Sequence, residues 1–192
     1  MPPATARPAA GDAGLLHRLR ELPGPVWVLA AGQFINKFGA FVLFFLIIYL
    51  TGLGYSPAQA GFAASAYGLG GFLAMFAGGW TADHVGRRAT IVFSMFSSAA
   101  AMLALSQATG LGLLTALAGL AGFCAELYRP AASALLADLT PPGRRITVFA
   151  VYRTAINAGI AIGPAVAGFL ARACLLLLLS FFLFTACLFI IT

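Results

Sequence analysis

Of 192 residues, 61% are hydrophobic and 8% charged, where a soluble domain carries roughly a quarter charged residues. Eleven basic and five acidic side chains cannot clothe a globule of this size in polar groups, which excludes a water-soluble domain and makes the lipid bilayer the main partner. The net charge of +6 does not imply nucleic acid, because the basic residues stand singly or in pairs between apolar runs, with no interleaved aromatic-basic surface.

Residues 1–25 are rich in Pro, Ala and Arg, contain no apolar run, and precede a segment too long for a signal-peptide core. They are expected to form a cytoplasmic N-terminal tail. A spanning helix needs about 20 mostly apolar residues. Six segments pass that test, at about 26–50, 57–80, 89–109, 112–137, 146–171 and 174–192. Residues 26–192 are therefore predicted to be an all-α membrane bundle of six transmembrane helices. Transmembrane strands would alternate polar and apolar residues over about ten positions, which these runs do not.

Span one carries a buried cation. Lys37 lies about 16 Å along the helix at about 1.5 Å per residue, too deep to snorkel easily, and needs a wet cavity or an acidic partner. Gln33, Asn36 and Lys37 share one helical face with Ala40, so this face is expected to line a cavity. Lys37 is the residue expected to meet a substrate or a partner acid. Ser56 is suited to cap the second span and Pro57 to begin it. Along that span Ala60, Ala64, Gly68, Gly71 and Gly78 are predicted to form a smooth packing surface.

Between spans two and three the chain reads Gly79-Trp80-Thr81-Ala82-Asp83-His84-Val85-Gly86-Arg87-Arg88. Gly79 would allow close helix approach, Gly86 a turn with positive φ, and Asp83 and Arg87 lie four apart, where a helical turn would pair them. This stretch resembles the Gly-x3-Asp-x2-Gly-Arg-Arg/Lys loop of the major facilitator superfamily of transporters. The resemblance implies one half, the N-terminal bundle, of a fold of about twelve spans in two related halves, with substrate held between them. It also implies that the loop latches the two halves in the outward-facing state, with Asp83 near a helix N-terminus of the second half. Asp138, at the same end of span four, is placed to join Arg87 in a charge network.

Span four contains Glu126-Leu127-Tyr128-Arg129-Pro130-Ala131-Ala132-Ser133, similar in part to the superfamily's intramembrane Arg-x-x-Gln-Gly motif, with Ala132 and Ser133 in place of Gln and Gly. Arg129 and Arg153 lie at similar depths, about 18 Å from the turn at Pro141-Pro142, with Glu126 one turn deeper. A bridge from Glu126 to one Arg fits those depths. Pro130 clashes with the carbonyl of Glu126 and frees it as an acceptor. Span five, with Gly159, Gly163, Pro164 and Gly168, resembles the Gly-x3-Gly-Pro-x2-Gly-Gly motif of antiporters, with Ala167 in place of one Gly. Ala155, Gly159, Gly163, Ala167 and Ala171 recur every four positions as a small-residue ridge.

Three cations, Lys37, Arg129 and Arg153, against the one acid Glu126 leave an excess of two positive charges, to be offset by acids of a second half or by an anionic substrate. The substrate and proton pathway is thus expected at Gln33, Asn36, Lys37, Glu126, Arg129 and Arg153. Cys124, Cys174 and Cys187 lack paired or ligand spacing, and no metal, cofactor or catalytic residue is expected. An intramembrane serine enzyme would need a base, but His17 and His84 both lie outside the spans; a channel would need a filter loop or a voltage-sensing helix.

The Arg positions outside the spans, Arg7, Arg18, Arg20, Arg87, Arg88, Arg144 and Arg145, place both termini in the cytoplasm, while the uncharged breaks at 51–56 and 110–111 face outward. The expected protein is a multi-pass transporter of a bacterial inner (plasma) membrane, acting in proton-coupled efflux of drugs or other small molecules. It would work with a second six-helix half or a homodimer partner; a truncated fragment that inserts but transports nothing is the alternative.

Overall fold

The computed structural model describes Leu19 and residues 22–38 and 42–169, with side chains described at 19, 22–37 and 46–163. Most of the expected tail, Arg172 and the expected sixth span at 174–192 lie outside the described residues. Within them the chain is helical, with no strand. The first expected span is occupied by α1 (Gly24–Phe38) and α2 (Val42–Gly52). Then follow α3 (Pro57–His84), α4 (Arg87–Gln107), α5 (Leu111–Glu126), α6 (Tyr128–Asp138), a short 3-10 turn (Pro142–Arg144) and α7 (Arg145–Phe169). Among the described residues four stretches are long and apolar enough to cross a bilayer: Pro57–His84, Arg87–Gln107, Leu111–Asp138 and Pro142–Gly163.

The start of α3 follows the residues expected to cap it. Ser56 Oγ accepts from the Gln59 amide at 3.3 Å, the Gln59 side chain accepts from the Ser56 amide at 2.9 Å, and Pro57 occupies the first turn. Its end differs from expectation. The helix runs on through Gly79 to His84, so most of the motif stretch is helix, and only Val85 and Gly86 form the turn. Gly86 sits at φ 108°, a conformation that side-chain-bearing residues avoid, and it reverses the chain into α4.

That turn overturns the expected Asp83–Arg87 pair. A pairing four residues apart needs one continuous helix, whereas the two residues lie on different helices across Gly86. Arg87 instead forms an ion pair with Asp138 and donates to the Ala134 carbonyl at 3.3 Å, tying α4 to α6. Asp83 and Arg88 are exposed.

The helices join by close backbone approach. A Cβ on Gly70 would strike the Gly119 carbonyl, and one on Gly122 would strike the Tyr67 carbonyl, so α3 and α5 cross with almost nothing between them. Farther along α3, Gly78 abuts the Leu127 carbonyl and the Pro130 ring. The expected packing surface of α3 is therefore corrected. Of its residues Ala60, Gly71 and Gly78 are buried, whereas Ala64 is half-buried and Gly68 exposed, because two steps of four from Ala60 drift around a helix of 3.6 residues per turn; the buried face is Ala60, Ala63, Gly70, Gly71, Ala74, Gly78 and Ala82. Gly68 and Gly79 face open space and mediate no close approach. Large apolar residues such as Phe62, Phe72 and Phe76 point outward, Phe76 being 68% exposed, as the exterior of a bilayer protein requires.

Among the described residues two buried clusters form the interior. One, around Leu50, Ala63, Leu105 and Leu114, holds α2, α3, α4 and α5 together. The other, around Val26, Ile91, Met95, Tyr128 and Val148, joins α1, α4, α6 and α7. The candidate site lies against this second cluster.

Candidate functional site

On α1, Gln33, Asn36 and Lys37 recur at spacings of three and four, which sets them on one face, and all three are buried. Gln33 is fully engaged. Its amide nitrogen donates to Tyr128 Oη at 2.6 Å, and its amide oxygen accepts from Tyr152 Oη at 3.0 Å. One glutamine thereby joins α1, α6 and α7. Asn36 turns to α4, with its amide nitrogen 3.4 Å from Met95 Sδ.

Lys37, only 6% exposed, donates to Glu126 Oε1 at 3.1 Å, and its ammonium lies 5.6 Å from the centre of the Tyr128 ring. The other carboxylate oxygen, Oε2, is 2.9 Å from Arg129 Nε. Glu126 therefore holds two cations at once, one on each oxygen. The expected acidic partner of Lys37 and the expected Glu–Arg bridge are both present, made by the same side chain.

The α5–α6 junction that presents Glu126, Tyr128 and Arg129 is a local break in the helical ladder. Leu127 keeps helical angles, φ −58° and ψ −32°, and its amide still bonds to the Phe123 carbonyl at 3.1 Å. The next rung is diverted. The Tyr128 amide donates to Ser94 Oγ at 3.1 Å, and that hydroxyl donates to the Cys124 carbonyl at 2.5 Å, so a side chain from α4 is inserted where a backbone bond would close. Two residues on, Pro130 has no N–H to offer the Glu126 carbonyl. The interruption thus has two causes, one in its own sequence and one supplied by a neighbouring helix.

Beside this junction a cavity of about 330 Å³ opens between α1, α6 and α7. Gln33 and Tyr128 line it, with Arg129 and Ser133 from α6 and Tyr152, Arg153 and Asn157 from α7. Of the residues expected in a pathway, Gln33, Arg129 and Arg153 are on its wall. Lys37 and Glu126 are not on the wall but contact residues that are, Lys37 through the Tyr128 ring and Glu126 through Arg129. Asn36 faces α4. Arg153 has no ion-pair partner among the described residues.

Tyr128 and Tyr152 were not singled out by sequence reasoning. A signal existed in the repeated Tyr-Arg pair, Tyr128-Arg129 and Tyr152-Arg153, on two spans expected at equal depth. Of the antiporter-type residues, Gly159 and Gly163 are buried on α7, and Pro164 and Gly168 lie in the same helix, where their surroundings are outside the described side chains.

A family model for the Major Facilitator Superfamily matches residues 29–192. The uncharacterized MFS-type transporter YqjV of Bacillus subtilis is 33% identical over 140 residues, which cover 72% of this chain and 34% of that protein. The quinolone resistance protein NorA of Staphylococcus aureus is 27% identical over 149 residues, 72% of this chain and 38% of that protein. A Na(+), Li(+), K(+)/H(+) antiporter of Planococcus maritimus is 37% identical over 92 residues, 45% of this chain and 22% of that protein. The chain thus spans about a third of the length of the first two relatives. A crystal structure of a peptide transporter of the POT type in complex with sulfate has the same fold over 93% of this chain and 41% of its own, with TM-score 0.79 and 22% identity.

Proposed function

The chain belongs to the Major Facilitator Superfamily, and from that premise we propose that it forms the N-terminal six-helix half of a secondary transporter that exports small molecules in exchange for protons. The observation that carries this reading is the ion chain that runs from buried Lys37 through half-buried Glu126 to Arg129 on the wall of a polar cavity, within a chain whose helices are long and apolar enough for a bilayer. Ionisable groups are costly there and persist where they serve a pathway. Export and exchange draw support from the printed descriptions of two relatives, a quinolone resistance protein and a cation/proton antiporter.

In this reading Glu126 is the proton-sensitive centre. Among the described acids, Asp83 and Asp138 lie at the ends of their spans, whereas Glu126 sits in the middle of the Leu111–Asp138 span, at the α5–α6 junction, and holds both Lys37 and Arg129; a proton on it removes the charge that fixes them. The cavity then needs a second bundle, from a second six-helix half or another copy of the chain, and rocking of the two bundles gives alternating access. Gly79, Asp83, Gly86, Arg87, Arg88 and Asp138 govern that rocking. Asp83, exposed beside the Gly86 turn, meets the opposing bundle, and the Arg87–Asp138 pair holds the turn in place. Arg87, Arg88, Arg144 and Arg145 lie at turns on the same end of successive helices, which supports a cytoplasmic placement of that end, with both termini inside and a bacterial plasma membrane around the bundle.

The test is export of a fluorescent quinolone by everted membrane vesicles from cells making the protein, energised by an imposed proton gradient. Lys37→Met keeps the apolar stem and removes the charge. It is expected to lower export at least tenfold with membrane insertion unchanged. Wild-type export by that variant, or export indifferent to the proton gradient, sinks the proposal.

A further inference from the structure

The cavity is rich in donors and poor in acceptors. Both ends of the Gln33 amide are already used, the oxygen by Tyr152 and the nitrogen by Tyr128. Because Tyr128 Oη accepts from Gln33, its own proton is left to donate. Arg129 and Ser133 lie four residues apart on α6, and Arg153 and Asn157 lie four apart on α7, so two guanidinium-plus-polar pairs line the same space. Ser133, Arg153 and Asn157 have no hydrogen-bond or ion-pair partner among the described residues.

The charge count points the same way. Glu126 is shared between Lys37 and Arg129, so one carboxylate faces two cations, and Arg153 adds a third with none. Phe149 and Ile156, one turn to either side of Arg153 and Tyr152, supply apolar wall to the same cavity. We infer that this cavity takes an organic anion, a carboxylate on a compact apolar or aromatic body, with Arg153 binding the carboxylate and the tyrosine and phenylalanine rings holding the body. A guanidinium matches a carboxylate with two parallel N–H donors, and Asn157 and the Tyr128 hydroxyl complete its coordination. A cavity of about 330 Å³ is the size of a small drug-like or metabolite-sized molecule. The inference rests on reading the cavity as the substrate site and adds the charge of the substrate.

The experiment uses the chain in lipid nanodiscs and three probes of matched shape: 2-naphthoate, neutral 2-naphthamide and the cationic 2-naphthylmethylammonium. Binding is measured by equilibrium dialysis, with Tyr fluorescence and gel filtration as folding controls. The expected result is saturable binding of 2-naphthoate at least tenfold tighter than either other probe, with the preference lost in Arg153→Gln and partly kept in Arg153→Lys. Asn157→Leu, at an exposed position, supplies a second variant and is expected to weaken naphthoate severalfold and leave naphthamide unchanged. Equal binding of all three probes, tighter binding of the cation, absence of saturable naphthoate binding, or a preference unchanged in every variant overturns the inference; equal binding would assign the excess charge to acids of an opposing bundle. Because binding is read without a gradient, failure of proton-driven export leaves this result standing, and export of a cation with no anion preference overturns this inference alone.

Discussion

The α3–α5 crossing and the α1–α6–α7 corner are both helix contacts inside one apolar bundle, yet they are built by opposite means. At the crossing, Gly70, Gly119 and Gly122 remove side chains so that backbones touch. At the corner, Gln33, Tyr128, Tyr152, Lys37 and Glu126 insert large polar side chains and bond them to one another. Lipid offers no hydrophobic drive to bring helices together, so association rests on shape in the first place and on polar bonds in the second. The second borders the cavity described above. The bundle is closely packed where it is smooth and chemically equipped where it is held apart.

The largest effect should come from the corner. Glu126→Leu leaves Lys37 buried without its counter-charge and is expected to cost about 4 kcal/mol, read from denaturant unfolding in detergent. Adding Lys37→Met to that variant should recover most of the loss, because an apolar pair replaces an ion pair. No recovery in the double variant would mean that packing, not charge, secures this corner, and the contrast between the regions would dissolve.

At the crossing, Gly70→Val drives methyl groups into the Gly119 carbonyl and the Phe123 amide, backbone groups that cannot swing aside. A loss of about 3 kcal/mol is expected. Gly68→Ala, two residues away on the open side, should be neutral or stabilising by up to about 1 kcal/mol. Equal effects at the two glycines would break the shape argument.

The smallest effect sharpens the comparison where the regions meet. Ser94→Ala removes the hydroxyl between the Tyr128 amide and the Cys124 carbonyl, at a cost of about 1 kcal/mol. Amide exchange of Tyr128 should change with it, whereas Ser94→Thr keeps the hydroxyl and should keep the wild-type rate. An exchange rate unchanged in the alanine variant would remove Ser94 as a cause of the break.

The difference between the regions also explains what could be read beforehand. The cost of a charge in lipid is a property of one residue and its depth, so Lys37, Glu126, Arg129 and Arg153 stood out in the sequence, and a Glu–Arg bridge could be expected. Arg87 and Asp138 were likewise placed together by their common end of the bundle. The Asp83–Arg87 pairing failed because spacing is informative only within one helix, and Gly86 starts a new one. On α3 the expected face was right at Ala60, Gly71 and Gly78 and missed at Ala64 and Gly68, where two steps of four leave the contact line. Ser94 was invisible, being one of several serines in its span, and its role depends on which backbone rung it happens to face. The pairing of Gln33 with two tyrosines needed the three helices in place, though the doubled Tyr-Arg step hinted at two of them.

The Lys37–Glu126 contact joins residues 89 positions apart. At about 5–20 residues per second, a ribosome takes on the order of ten seconds to make the intervening chain. During that interval the first hydrophobic helix has emerged with a buried-to-be ammonium and no carboxylate to meet it. Its early residence is then expected to be a shielded one, at the insertion machinery or the lipid headgroups, until the Leu111–Asp138 span brings Glu126 to it. The order of synthesis makes Glu126 a timing signal for assembly: a variant lacking it should leave the first helix exposed to protease or retained by chaperones well before any defect in transport could be seen.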